Sequence, residues 1–93
     1  MCAESAYRLR DGVQVRQEKF GLLFYDYRGP KLHFLPSGDL IGETFFLGKQ
    51  TATELAESIR AERGGSPGST MRFVTRVLDM LRSKGLIHEQ PVY

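Results

Sequence analysis

Val15 to Leu35 reads VRQEKFGLLFYDYRGPKLHFL. Phe20, Leu22, Leu23, Phe24, Tyr25 and Tyr27 crowd its first half, and Leu32, Phe34 and Leu35 its second, with Arg28-Gly29-Pro30 between them. Glycine takes positive φ without penalty and proline cannot continue a hydrogen-bonded ladder, so these three residues predict a turn. The strands on either side run from Phe20 to Tyr27 and from Lys31 to Leu35. Upstream, Val13 and Val15 alternate with Gln14 and Arg16, the period-two pattern of a further short strand. The expected unit is a three-stranded antiparallel sheet over residues 13–35.

Strand side chains alternate between faces. Phe20, Leu22, Phe24 and Asp26 share one side, and Gly21, Leu23, Tyr25 and Tyr27 the other. Both sides are apolar, yet the rest of the chain needs only one of them for a core. The other is covered by a dimer or a tail, or it is a docking surface.

From Pro36 the pattern turns helical. Pro36-Ser37-Gly38-Asp39 breaks the strand and offers Ser37 or Asp39 as a cap. Leu40, Ile41, Thr44, Phe45 and Gly48 recur at three- and four-residue spacing and predict a first helix to about Leu47. Thr51-Ala52-Thr53-Glu54 matches a capping box. It opens a second helix that carries Ala52, Leu55, Ala56 and Ile59 and ends near Arg63. A third begins at Ser66-Pro67 or at Ser69-Thr70, buries Phe73, Val74, Val77, Leu78 and Leu81, and closes at Lys84-Gly85. Leu86 and Ile87 then fold back as a short apolar tail. Residues 1–12 are polar, carry an Asp11-Gly12 turn signal and are expected to be partly flexible. The expectation is thus an α+β fold in one domain over residues 13–90, with the sheet at 13–35 and three helices at 37–87.

Composition narrows the function. Ninety-three residues with 41% hydrophobic and 26% charged content suit one small globular domain. The single cysteine, Cys2, excludes an internal disulfide framework. The longest apolar run, Gly21 to Tyr25, is far short of a membrane span, and no secretory pattern opens the sequence, so a soluble cytoplasmic protein is expected. The acids are spread along helix faces beside Arg60 and Arg63 rather than gathered in a cleft, and His33 and His88 lack metal-ligand spacing. Gly64-Gly65-Ser66-Pro67-Gly68 lacks the lysine of a phosphate-binding loop. Neither catalysis nor a cofactor is expected. Arg72, Arg76, Arg82 and Lys84 on the third helix keep a DNA-reading helix-turn-helix open, although Asp79 lies among them and the net charge is only +2.

Tyr7-Arg8-Leu9, Val15-Arg16-x-Glu18-x-Phe20-Gly21-Leu22-Leu23-Phe24-Tyr25, Leu32-x-Phe34-Leu35 and the closing Leu81-x-x-x-Gly85-Leu86-Ile87 carry a resemblance. The protein resembles the PqqD-like recognition elements of ribosomally made, modified peptides (RiPPs), most nearly the MftB family of mycofactocin precursor-peptide chaperones. The resemblance implies a winged helix-turn-helix-like fold of three strands followed by three helices, and no catalysis. It implies a precursor peptide bound as an added strand beside the third strand and against the third helix. That peptide is handed to a radical S-adenosylmethionine (SAM) enzyme, to which the iron–sulfur and SAM cofactors would belong.

Strand addition gives affinity through main-chain bonds and specificity through flanking pockets. On this reading Lys31, Leu32, His33, Phe34 and Leu35 pair with the peptide. Phe73, Arg76, Val77 and Met80 wall the groove, while Arg72, Arg76 and Lys84 steer an acidic ligand. Phe73 and Val77 suit plain core packing equally well. Leu23, Tyr25 and Tyr27 are the candidates for docking the enzyme or a second copy. The expected partners are the peptide and the radical enzyme, without nucleic acid or membrane, the protein being monomer or homodimer. A winged-helix DNA-binding module and a structural homodimer subunit are the competing readings.

Overall fold

The computed structural model describes residues 5–29 and 31–91; Cys2 and Pro30 lie outside the described residues. In sequence order its elements are β1 (Ser5–Leu9), β2 (Val13–Glu18), β3 (Gly21–Asp26), β4 (Lys31–Leu35), a 3-10 turn (Glu43–Phe46), β5 (Leu47–Thr51), α1 (Ala52–Arg63), α2 (Pro67–Ser83) and β6 (Ile87–Pro91). The strands form two antiparallel sheets, ordered β2-β3-β4 and β5-β1-β6.

The first sheet follows from the alternation. Leu22 lies opposite Leu35, Phe24 opposite His33 and Asp26 opposite Lys31, while Leu23 meets Phe34 and Tyr25 meets Leu32. Directly opposed residues share a face. Leu22, Phe24 and Leu35 are buried in the core, and the other set looks outward. The strand starts at Gly21 rather than Phe20, which sits exposed in the β2–β3 turn instead of on the inner face. Gly21 is required there: a Cβ at this position would collide with the Leu35 carbonyl oxygen.

The second sheet corrects three expectations. Within the segment expected to be partly flexible, Ser5–Leu9 is the central strand of that sheet. Ser5, Ala6 and Tyr7 are all buried, which removes the alternation that marks a half-exposed strand. The apolar tail at Leu86-Ile87 likewise continues into β6, which pairs with β1 from Leu9↔Ile87 to Ser5↔Pro91.

The expected first helix is also absent, so the fold has two helices rather than three. Gly42 weakens a helix in that stretch by about 1 kcal/mol relative to alanine, and a helix of barely two turns hardly offsets its costly nucleus. The adjacent Phe45 and Phe46 instead both enter the core from one 3-10 turn, Phe45 stacked on Tyr7 and Phe46 edge-on to Phe24 at 5.4 Å. Leu47–Thr51 is then taken up by β1, with an irregular register between Ala6 and Arg8. Gly48, at φ +79°, lies beneath the Arg8 side chain in that stretch.

The remaining helices form where their caps predict. The Thr51 hydroxyl accepts from the Glu54 N–H at 3.2 Å, and the Glu54 carboxylate accepts from the Thr51 N–H at 2.8 Å. Ser66 caps α2 by accepting from the Ser69 N–H at 3.1 Å, with Pro67 at the first helical position. α2 buries Thr70, Val74, Val77, Leu78 and Leu81. Arg28, in the turn between β3 and β4, donates to both Asp26 carboxylate oxygens at 2.9 and 3.0 Å and to the Gly85 carbonyl at 2.6 Å. This guanidinium ties the hairpin to the end of α2 and holds the Asp26 carboxyl below its usual range.

Candidate peptide-binding edge

The β2-β3-β4 sheet has two outer strands. In an antiparallel ladder, successive residues turn their backbone N–H and C=O groups alternately toward one neighbour and the other. The Gln17 N–H points away from β3 and donates to the Glu43 carboxylate at 2.8 Å. Gln17 lies opposite Leu22, so Leu22, Phe24 and Asp26 turn toward β4, and their partners Leu35, His33 and Lys31 turn back toward β3. Leu32 and Phe34 are left with their N–H and C=O groups directed outward. Among the described residues the only backbone bond that β4 makes outside its ladder with β3 is from the Ser37 N–H to the Leu35 carbonyl, at 2.8 Å. The free edge thus presents two donors and two acceptors.

The side chains of β4 divide by face. Lys31, His33 and Leu35 point inward. Lys31 and His33 line a cavity of about 270 Å³ with Asp26, Leu32, Lys84 and Leu86. Burial, and then the charge of Lys84, push the His33 imidazole below its ordinary pKa. Leu35 and Val77, only 5% and 8% exposed, belong to the core, which leaves Leu35 its backbone but gives Val77 little surface for a ligand. Phe73 and Met80 are half-buried against that core, and with Lys84 they follow one side of α2 at seven- and four-residue spacing. Arg72 and Arg76 line a different depression, of about 550 Å³, with Gly68, Met71, Thr75 and Asp79. Arg82 is engaged by Asp79 at 3.5 Å and Glu89 at 3.1 Å. The structure therefore brings Lys84 to β4 and keeps Arg72 and Arg76 out of that cavity.

The outer face gathers more than the sequence reading assigned to it. Leu23, Tyr25 and Tyr27 line a cavity of about 340 Å³ with Gln14, Val15, Arg16 and Leu32. The Tyr25 and Tyr27 rings lie 4.2 Å apart between centroids. Tyr27, Leu32 and Phe34 are 59%, 63% and 44% exposed. Leu32 and Phe34 thus contribute their backbones to the free edge and their side chains to the outer face. The hairpin register is the signal that could have placed these side chains on that face.

Among the described residues no helix is long and apolar enough to cross a membrane, and no three His, Cys, Asp or Glu side chains gather as a metal site. The profile of the peptide chaperone MftB family matches residues 6–88. The protein belongs to the peptide chaperone MftB family. In this MftB-family protein the match spans almost the whole described fold, from β1 into β6, and so takes in the three strands, β1, β5 and β6, that hydrophobic alternation alone leaves out. No curated protein sequence matches it significantly. Among solved structures it is similar to a lasso peptide synthetase B1 complexed with the leader peptide, at 19% identity and a TM-score of 0.75, over 88% of this protein and 96% of that one. That likeness shows a shared fold.

Proposed function

We propose that this MftB-family protein is a non-catalytic cytoplasmic chaperone that binds the mycofactocin precursor peptide as an added strand on β4 and presents it to a radical SAM maturase. The observation that carries this reading is the open edge at Leu32 and Phe34, on a member of a peptide-chaperone family. The similar lasso peptide synthetase B1, complexed with a leader peptide, supports it. Four backbone bonds at about 0.5–1.5 kcal/mol each roughly match the ~2–5 kcal/mol cost of ordering a flexible peptide. Affinity then depends on side chains. On the inner side the peptide meets Lys31, His33 and Lys84, with Phe73 and Met80 further along α2. Arg72 and Arg76 lie beyond that stripe and act at longer range, as steering charges.

The outer face, with Leu23, Tyr25 and Tyr27, is the docking surface for the maturase in this scheme. Iron–sulfur and SAM chemistry belongs to that enzyme. Calorimetry with the mycofactocin precursor peptide of the same genome should give saturable one-to-one binding. Joint Tyr25→Ala and Tyr27→Ala replacement should then leave the peptide affinity in place while weakening co-elution with the radical enzyme. Absence of peptide binding, or equal loss of both interactions in a folded variant, contradicts the proposal.

A further inference from the structure

The cavity beneath β4 has a charge balance that the strand-addition reading does not itself require. Lys31 comes from β4, His33 from the same strand two residues on, and Lys84 from the end of α2, so three basic groups from two elements meet around one space walled by Leu32 and Leu86. Asp26, on β3, is the only acid lining it, and Arg28 occupies both of its carboxylate oxygens. Among the described residues neither Lys31 nor Lys84 is held in an ion pair. Side chains of a strand added to β4 alternate like those of β4 itself, so every second one points to the side of Lys31 and His33.

We propose that this cavity is a carboxylate subsite, which selects an acidic group at one inward position of the bound strand. The inference rests on strand addition at β4 and adds its chemical specificity. Lys31 and Lys84 supply the charge, and the His33 ring offers an N–H donor. A neutral His33 hydrogen-bonds the carboxylate; once protonated it adds a third positive charge, so acidification from neutral pH strengthens binding. Asp26 opposes this only weakly, because Arg28 already balances it. An internal Asp or Glu and the terminal carboxylate of a peptide offer the same chemistry.

A randomised dodecapeptide library displayed on phage, fused through the peptide C-termini, separates these sources when panned against the full-length protein. Asp or Glu should be enriched at a single position within an alternating apolar pattern. Against a Lys31→Glu/Lys84→Glu variant, Lys or Arg should replace it there; a Lys31→Gln/Lys84→Gln variant, which should lose the preference, serves if charge reversal prevents folding. An amidated selected peptide should bind about fivefold more tightly than its Gln or Asn counterpart, as expected for a partly exposed ion pair. The acidic version alone should raise the His33 imidazole pKa followed by NMR. Selected peptides that show no acidic preference and whose free-acid forms bind no more tightly than their amides, or ones that bind the charge-reversed variant equally well, overturn the subsite and leave strand addition standing. If only a free-acid form outbinds its amide, the occupant is a terminus, and the carboxylate subsite is upheld. No selected peptide at all overturns both readings.

Discussion

The two outer strands of the β2-β3-β4 sheet are finished differently. On β2 the outward-facing Val13 N–H donates to the Arg10 carbonyl at 3.0 Å, and the outward-facing Gln17 N–H to the Glu43 carboxylate at 2.8 Å. On β4 the outward groups of Leu32 and Phe34 have no such partner among the described residues. Exposed sheet edges invite unwanted pairing, and natural proteins usually blunt or cover them. One edge of this sheet is interrupted at both ends, by a turn at Val13 and by a carboxylate from elsewhere in the sequence at Gln17, which leaves only the Val15 N–H facing outward between them, and the other is left able to pair. The difference locates function in a backbone edge of five residues rather than in the richest apolar stretch, Gly21 to Tyr25, most of which supports the core.

The comparison breaks most visibly with proline. Leu32→Pro removes an outward N–H and should leave a folded domain whose peptide affinity falls at least about tenfold in calorimetry. His33→Pro, one residue along, removes an N–H of the β3–β4 ladder and should cost roughly 2–4 kcal/mol in denaturant unfolding. Equal behaviour of the two variants would contradict the assigned backbone directions. Glu43→Ala sharpens the other side. Freeing the Gln17 N–H should cost about 0.5–1.5 kcal/mol and produce concentration-dependent self-association in sedimentation, with peptide binding at β4 unchanged.

The smallest effect concerns the anchor of the open strand. Arg28 holds the Asp26 carboxyl below the usual range, so the native state binds its proton less readily than the unfolded state does. That stabilisation is complete above the ordinary carboxylate range and is lost as the pH falls through the lower native value. Between about pH 5 and pH 2, the melting temperature of the parent protein should therefore fall slightly more than that of Asp26→Asn. Parallel curves would remove Asp26 from the account.

Much of this was legible where one face of an element is wet. The hairpin alternation, the capping box at Thr51–Glu54 and the stripe of α2 each leave a local mark, and each forms, with Phe20 outside its strand and Phe73 at the margin of the core. β1 left none, because Ser5, Ala6 and Tyr7 are buried together between two neighbouring strands. Leu40, Ile41, Thr44 and Phe45 imitated a helical pattern, but Phe45 and its neighbour Phe46 reach the core from a glycine-bracketed turn, which frees Leu47–Thr51 to pair with β1. For the site, the sequence marked β4 and α2 as the elements of interest. Its helical spacing could not say that Lys84 approaches His33 while Arg72 and Arg76 line another depression, since that depends on how α2 ends against the hairpin. The outward set Leu32 and Phe34 needed one non-local fact, the bond from Gln17 to Glu43.

Amide hydrogen exchange along β4, followed residue by residue with and without the precursor peptide, tests the central claim most directly. In the free protein the Leu32 and Phe34 amides should exchange rapidly and the His33 amide slowly. Saturating peptide should protect Leu32 and Phe34 strongly while leaving His33 as it was. Peptide binding that leaves the Leu32 and Phe34 amides as exposed as before would contradict strand addition at this edge.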